Sequence, residues 1–194
     1  MTLTRQDLMS LEQYAERRHQ FRAQVMEHKK NRRVALGEHA ALYFEDALTM
    51  QYQIQEMLRI ERIFEARAIE EEMAVYAPLI PDGSNWKATF MIEYGDEAER
   101  RQALARLIGI ESRVYVQVAG LERVYAIANE DLDRSSPHKT AAVHFMRFEL
   151  SPEMIESIKK GKPVLAGINH PAYLAETPFS PAVRAALVKD LKDL

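Results

Sequence analysis

Cysteine is absent from the chain. Its absence excludes thiol catalysis, Fe–S ligation, cysteine-based zinc sites and disulfide bonds. Long hydrophobic runs are also missing: no stretch approaches the roughly 18 consecutive apolar residues of a membrane-spanning helix, and the first residues contain no apolar signal region. We therefore expect no membrane contact and a cytoplasmic location.

Motifs of several well-defined chemistries are missing as well. The chain has no Gly-x-Ser-x-Gly nucleophile elbow, no heme motif and no dinucleotide fingerprint. The segment 81–85 has one glycine and precedes a predicted strand, so it resembles an ordinary turn more than a phosphate-binding loop. Serine-hydrolase, heme, Fe–S and dinucleotide chemistry therefore have no support, and whether the protein is an enzyme stays open.

The composition that is present is that of an ordinary globular protein. Of 194 residues, 47% are apolar and 28% are charged, which is enough for a buried core without disulfides or a structural metal. The formal charge of −3 argues against a nucleic-acid-binding surface over the whole protein. No linker or internal repeat divides the chain, so we predict a single domain over residues 1–194.

Hydrophobic periodicity and capping residues predict the order of helices and strands. Helical spacing predicts one or two N-terminal helices over residues 5–32 and a long helix over 49–76, which ends at prolines. Alternating apolar residues predict strands, and further capped segments predict short helices. The expected strands are 41–45, 86–94, 114–118, 124–128, 140–150 and 163–169, and the short helices are 97–108, 151–161 and one that begins after Ser180.

The way in which these elements follow one another indicates the fold class. The strands are linked by hairpins and by helices of uneven length, without a regular βαβ alternation. We therefore predict an α+β fold, with a largely antiparallel sheet of about five strands packed with a long central helix and N-terminal helices.

The predicted long helix is where candidate chemistry is concentrated. At 100° per residue, Glu61 and Glu65 lie in the middle of an apolar stripe, a position that a solvated charge normally avoids. A second apolar face flanks Glu56 and Arg59, so the helix is expected to lie between two layers. Because burying an unpaired carboxylate is costly, these acids should be salt-bridged, protonated or metal-bound.

Three arrangements would satisfy such buried acids. The first is an internal ion-pair network with arginines of the same helix or of the first helices. The second is a divalent-metal site with carboxylate and imidazole ligands, for which the candidates are Glu61, Glu65, His144 and His170. The third is a ligand pocket without metal, in which Arg59 holds an anion and a glutamate moves a proton.

Two histidines and a tyrosine extend the set of candidates. His144 lies on the apolar side of its predicted strand, either as a hydrogen-bonded core imidazole or as a ligand. His170 begins a loop at the end of a strand, where functional side chains are often displayed; alternatively, its imidazole caps a loop carbonyl. The candidate ligand-binding residues are Glu56, Arg59, His170 and Tyr173.

Charge is distributed unevenly along the chain. Residues 1–36 contain eight basic and four acidic residues, a net charge of +4, which leaves −7 for the rest. The basic run 28–33 has no interleaved aromatic residues and no accompanying nucleic-acid-binding signature. We interpret it as a solvated helix face, or as one that docks on the acidic segment 45–72, and nucleic acid is not expected as a partner.

Five segments carry a resemblance to a known family: Arg33–Gly37, Tyr52–Arg59, Leu79–Asn85, His144–Leu150 and His170–Tyr173. Together they resemble a bacterial family catalogued as domain of unknown function 3501, over nearly the whole chain. The resemblance implies a single-domain bacterial cytoplasmic protein. Members are associated with operons for rubrerythrin-like and Fe–S oxidoreductase proteins, which implies an accessory role in redox chemistry. Because the chain has no cysteine, electrons would pass through an oxidoreductase partner.

The resulting functional hypothesis is an accessory or ligand-binding factor in a redox-linked pathway, acting as a homodimer. The alternative is a small enzyme in which carboxylate and histidine side chains bind a divalent metal and Arg59 orients an anionic substrate. A less favoured third class is nucleic-acid binding through residues 17–33.

Overall fold

A computed structural model describes residues 3–131, 134 and 136–193. The helices are α1 (Leu11–Lys30), α2 (Ala47–Glu61), α3 (Ala66–Tyr76), α4 (Glu97–Arg106), α5 (Pro152–Lys159) and α6 (Pro181–Val188). The strands are β1 (Arg33–Ala35), β2 (Ala40–Phe44), β3 (Asn85–Ile92), β4 (Val114–Val118), β5 (Arg123–Tyr125), β6 (Ile127–Ala128), β7 (Val143–Glu149), β8 (Val164–His170) and β9 (Tyr173–Pro178). None of the helices described within these ranges is long and apolar enough to cross a membrane.

The strands form two sheets in which all neighbours are antiparallel. One sheet has five strands in the order β1-β2-β3-β7-β6, and the other has four strands in the order β5-β4-β8-β9. The α+β class and the antiparallel pairing are therefore confirmed, although the strands are divided between two sheets instead of one. The predicted hairpin is shared between them, because β5 pairs with β4 whereas β6 pairs with β7.

One continuous apolar core joins the two sheets. It contains the alternate residues of β3 and β7 that the period-two pattern predicts to be buried, together with residues of β4, β8 and helices α4–α6. Trp86 lies in this core with no exposed surface, and its indole N–H donates to the carbonyl of Leu187 in α6. The opposite, outward face of the five-stranded sheet is where helices α1–α3 contribute to a cleft.

Capping residues begin the helices where the sequence indicates. Ser151 and Ser180 each precede a proline at the first helical position, and each side chain accepts a hydrogen bond from the backbone N–H three residues later. Asp46 caps α2 in the same way, through the N–H of Thr49. These caps satisfy backbone donors that a helix leaves unpaired at its start.

The predicted long central helix is wrong, because the chain breaks it into α2 and α3. Arg62 adopts a left-handed conformation with φ of 55°, and the N–H groups of Arg62 and Ile63 both donate to the carbonyl of Leu58. This arrangement closes a helix end. Glycine usually occupies such a position, so an arginine there gives the sequence no stop signal.

A second correction concerns the segment that begins at His170. The sequence predicts a loop over residues 170–173, whereas His170 and Tyr173 are register partners at a tight turn between β8 and β9. The strand β9 alternates half-buried and exposed residues along its length. Its sequence, Tyr-Leu-Ala-Glu-Thr-Pro, has few large apolar residues, and this edge strand therefore shows a weak hydrophobic pattern.

Candidate ligand-binding cleft

The two acids expected inside the long helix lie in solvent. Glu61 is the last residue of α2, Glu65 precedes α3, and both are exposed. Their expected burial is wrong because the helical projection does not continue through the left-handed residue Arg62. The apolar stripe on which they were placed is interrupted at the same point, and Phe64 is 70% exposed.

Glu56 is the acid of this region that is held by an ion-pair network. Its carboxylate accepts hydrogen bonds from Arg18 at 2.7 and 2.9 Å and from the Tyr14 hydroxyl at 2.5 Å. Arg59, one turn away, approaches it at 3.5 Å. The Arg18 guanidinium lowers the pKa of Glu56 to about 2, while burial and the Glu56 carboxylate raise the pKa of Tyr14. Glu56 therefore links α1 and α2 through an ion pair.

The ring of His144 is fully buried and hydrogen-bonded on both sides. Its Nδ1 accepts from the Asn129 amide at 2.9 Å. Its Nε2 lies 2.9 Å from the Thr140 hydroxyl and 3.0 Å from the Ala141 carbonyl. With Nδ1 as acceptor, the ring donates from Nε2, where the Ala141 carbonyl accepts. This is the geometry of a hydrogen-bonded core imidazole.

The side chains of His170 and Tyr173 link the β8–β9 turn to two other loops through hydrogen bonds to backbone groups. Nε2 of His170 lies 3.1 Å from the Ile108 carbonyl, and its Nδ1 accepts the N–H of Ala172 at 3.1 Å. The Tyr173 hydroxyl donates to the Leu36 carbonyl at 2.6 Å and accepts from the N–H of His39 at 3.1 Å. These bonds match the carbonyl-capping interpretation of His170 and leave neither ring nitrogen directed at a cavity.

The predicted metal ligands do not come together. Within residues 3–131, 134 and 136–193, no three or more histidine and acidic side chains form a group that could hold a metal ion. Glu61 and Glu65 lie around the junction of α2 and α3, whereas His144 lies on β7 and His170 ends β8.

The basic residues at the end of α1 have two different environments: one forms buried ion pairs, and three line a cleft. Arg32 is only 2% exposed and forms ion pairs with Asp46 and Asp190. Its guanidinium also donates to the carbonyls of Phe44 and Glu45. In contrast, the side chains of Lys29, Lys30 and Arg33 lie at the edge of a cleft. Three cations of the run therefore line one concave surface.

This cleft has a volume of about 650 Å³ and lies between the outward face of the five-stranded sheet and helices α1–α3. Methionines from both sides contribute flexible apolar surface to its wall. The apolar wall consists of Met26, Met50, Leu79, Met91, Val143 and Phe145. The volume is within the range of small-molecule sites, roughly 300–1,000 Å³.

Strand register places polar side chains in a row beside this wall. Arg33 pairs with Tyr43, and Tyr43 with Thr89, so the polar row crosses β1, β2 and β3; on β7 it meets Phe145 of the apolar wall. The Thr89 hydroxyl donates to the carboxylate of Glu45 at 2.7 Å. The cleft therefore combines an apolar wall, a basic rim and a buried acid.

The cleft residues differ from the ligand-binding residues predicted from the sequence. None of Glu56, Arg59, His170 and Tyr173 lines the cleft. Two signals pointed towards it without identifying it: the basic run 28–33, and the outward side of β3 with Thr89 and Met91. Their meeting depends on helix packing over the sheet, which no local pattern encodes.

Comparisons with known proteins give a family and a structural relative. No curated protein matches the chain significantly. The chain is similar to a novel protein of unknown function from Burkholderia pseudomallei K96243, whose crystal structure shares 51% sequence identity with a TM-score of 0.93. The match covers 99% of this chain and 100% of that chain. A family model described as protein of unknown function (DUF3501) matches residues 2–191, so the chain belongs to this family, as the sequence resemblance indicated.

Proposed function

We propose that this protein is a ligand-binding accessory factor whose cleft binds a small amphiphilic anion. The observation that carries the proposal is the presence of three cationic side chains at the edge of an apolar cleft of about 650 Å³. An apolar wall with a few polar groups at defined positions is the usual composition of small-molecule sites.

The apolar wall supplies the affinity for the body of the ligand. Removing apolar surface from water contributes about 25 cal/mol for each Å² buried. Methionine side chains adapt to irregular shapes, so Met26, Met50 and Met91 favour a flexible or flat apolar body over one rigid shape.

The rim supplies the preference for negative charge. Arg33 donates to the Tyr43 hydroxyl and lies 3.6 Å from Glu93, and Lys30 pairs with Glu27. Lys29 forms no ion pair within the described ranges, and its ammonium lies 5.9 Å from the centre of the Tyr52 ring. Lys29 is therefore the rim cation that is most available to attract an anion to the cleft.

A fluorescent amphiphilic anion tests this proposal. Anilinonaphthalenesulfonate has an aromatic body and one sulfonate, and its emission rises on entering an apolar site. We expect saturable binding to the native protein, and the double variant Lys29→Ala/Arg33→Ala should weaken the affinity by about tenfold, because it removes two rim charges. Near-ultraviolet circular dichroism verifies that side-chain packing is intact, since partly folded states also bind this dye.

The matched control is Arg100→Ala/Lys162→Ala, which removes two exposed charges outside the cleft. Its affinity should stay within about twofold of the unmodified protein. Equal loss in both double variants would show that only net charge matters, and no saturable binding would refute the cleft as an anion site.

A redox-linked pathway, an oxidoreductase partner and a homodimer stay predictions. The cleft supports the ligand-binding part of the original hypothesis, and it suggests which basic residues a partner could contact. Lys29, Lys30 and Arg33 are available at the surface, whereas Arg32 is buried. A charge reversal aimed at partner docking should therefore leave Arg32 unchanged.

A further inference from the structure

Glu45 is a buried carboxylate in the lining of the cleft. The residue is only 7% exposed. Its main-chain groups are used by the fold, because the N–H donates to the Lys87 carbonyl and the carbonyl accepts from Arg32. The part of Glu45 that remains for the cleft is therefore its side chain.

Among the described residues, no cation forms an ion pair with this carboxylate. Its hydrogen-bond donor is the neutral Thr89 hydroxyl, and within residues 3–131, 134 and 136–193 it has no ion pair. Arg32 pairs with Asp46 and Asp190, and the Lys87 ammonium donates to the Pro78 carbonyl. The cleft cations Lys29, Lys30 and Arg33 form no ion pair with Glu45 in the described part of the chain. A buried carboxylate without a cationic partner is costly.

From this we infer that the cleft ligand carries an ammonium or another N–H donor that binds Glu45, in addition to its anionic group. The ligand class is then a zwitterionic amphiphile, with the donor at Glu45, the apolar body on the methionine-rich wall and the anion at the basic rim. This inference rests on the proposed function, because it assigns a second polar contact to a ligand of the same cleft.

The sheet geometry gives the spacing of the two backbone positions from which the polar side chains extend. Arg33 and Tyr43 are register partners on adjacent strands, and Glu45 lies two residues beyond Tyr43. With about 3.3 Å per residue along a strand and about 4.8 Å between strands, the backbone positions of Arg33 and Glu45 are roughly 8 Å apart. A short, straight aliphatic chain between an ammonium and a carboxylate can span this distance.

Three probes of equal chain length separate the contributions of the two ends: ω-aminooctanoate, octanoate and ω-hydroxyoctanoate. Each is titrated against the protein with bound anilinonaphthalenesulfonate, and the displacement of the dye is measured. We expect the amino compound to displace the dye at roughly tenfold lower concentration than octanoate, because a charge-assisted hydrogen bond to a buried carboxylate is strong. The hydroxy compound should lie between the two.

Glu45→Gln supplies the variant test, since glutamine keeps the size of the side chain and can still accept from Thr89. In this variant the preference for the amino compound should fall to about twofold or less, while octanoate should bind at least as well as before. Glu71→Gln, an exposed change on α3, should leave the preference unchanged.

The outcomes separate the two proposals. If the dye and octanoate bind and depend on the rim charges, but the amino compound shows no advantage, the zwitterion inference is overturned while the anion cleft stands. The same conclusion follows if the advantage persists in Glu45→Gln. If neither the dye nor octanoate binds, both proposals fail. The comparison of the three probes needs no variant, so the absence of an advantage for the amino compound overturns the inference even if Glu45→Gln does not fold.

Discussion

At the scale of single residues, the burial of an acid depends on whether a donor reaches it. Glu56 is 13% exposed in its side chain and has Arg18 and Tyr14 as donors, whereas Glu61 on the same helix is exposed. Both positions have apolar neighbours in the sequence, so the pattern alone predicts the same free-energy cost of burial for each carboxylate. The difference arises because α1 packs beside Glu56.

Glu56 should make the stability of the protein depend on acid pH. Its pKa is lowered to about 2 from the usual 4.5, so the ion pair stabilises the fold above about pH 4.5 and is lost as the pH falls towards 2. We expect Glu56→Gln to lower the free energy of unfolding by about 1–2 kcal/mol near neutral pH. Urea unfolding should show this loss shrinking as the pH falls from about 4.5, to roughly a quarter of its neutral value at about pH 2.5.

The control for this prediction is Glu71→Gln, because Glu71 pairs with Arg67 on an exposed surface of α3. Such a pair contributes little, so the change in unfolding free energy should stay below about 0.5 kcal/mol at every pH. A loss at Glu56 that is independent of pH would show that packing, and not the ion pair, is responsible.

At the scale of elements, the break between α2 and α3 shapes the cleft. If one helix continued from α2, Tyr76 and Leu79 would not be expected to return to the sheet; the break allows α3 and the turn after it to line the cleft. No residue of α3 is fully buried, so the helix packs through half-buried side chains such as Ile69, Met73 and Tyr76. The turn at Arg62 sets the direction in which α3 leaves α2.

Arg62→Gly should stabilise the protein. Arg62 is exposed and has a φ of 55°, a left-handed conformation that costs a non-glycine residue roughly 1 kcal/mol. Removing the side chain relieves this strain, although glycine also loses more entropy on folding. We expect a net gain of about 0.5 kcal/mol in the free energy of unfolding, measured by urea denaturation.

Glu70→Gly is the matched comparison, since Glu70 is an exposed residue inside α3. Glycine in a regular helix should lower the unfolding free energy by about 1 kcal/mol. Two variants of similar chemistry would thus change stability in opposite directions. A destabilised Arg62→Gly would mean that the arginine side chain contributes more than its backbone conformation costs.

At the scale of the whole molecule, Arg32 connects distant parts of the chain. Its guanidinium joins the end of α1 to the start of α2 through Asp46, and to the C-terminal region through Asp190. Burial raises the pKa of Asp190, which shows that this carboxylate is costly to ionise without Arg32 beside it.

Arg32→Ala should therefore be strongly destabilising. Removing one partner of a buried ion pair leaves uncompensated charge, and we expect a loss of about 3–5 kcal/mol in urea unfolding. The neighbouring Arg33→Ala removes an exposed cation and should cost less than about 1 kcal/mol. Similar losses at the two positions would contradict the assigned role of Arg32.

Several elements could be predicted correctly because their signals are local. Alternating apolar residues predict β3 and β7, and a serine cap followed by proline predicts the starts of α5 and α6. The absence of cysteine excludes thiol and Fe–S chemistry. These features depend on backbone preferences and on side chains close together in the chain, so a pattern over a few residues contains them. The family resemblance was likewise present in the sequence.

The position of the cleft and the charges that line it depend on how remote segments pack together. Arg32 and Arg33 are adjacent in the sequence, yet one is buried against Asp190 and the other lines the cleft. Glu45 becomes a buried carboxylate because strands and helices distant in sequence close around it. Burial and charge pairing are properties of contacts between remote segments, and local periodicity does not contain them.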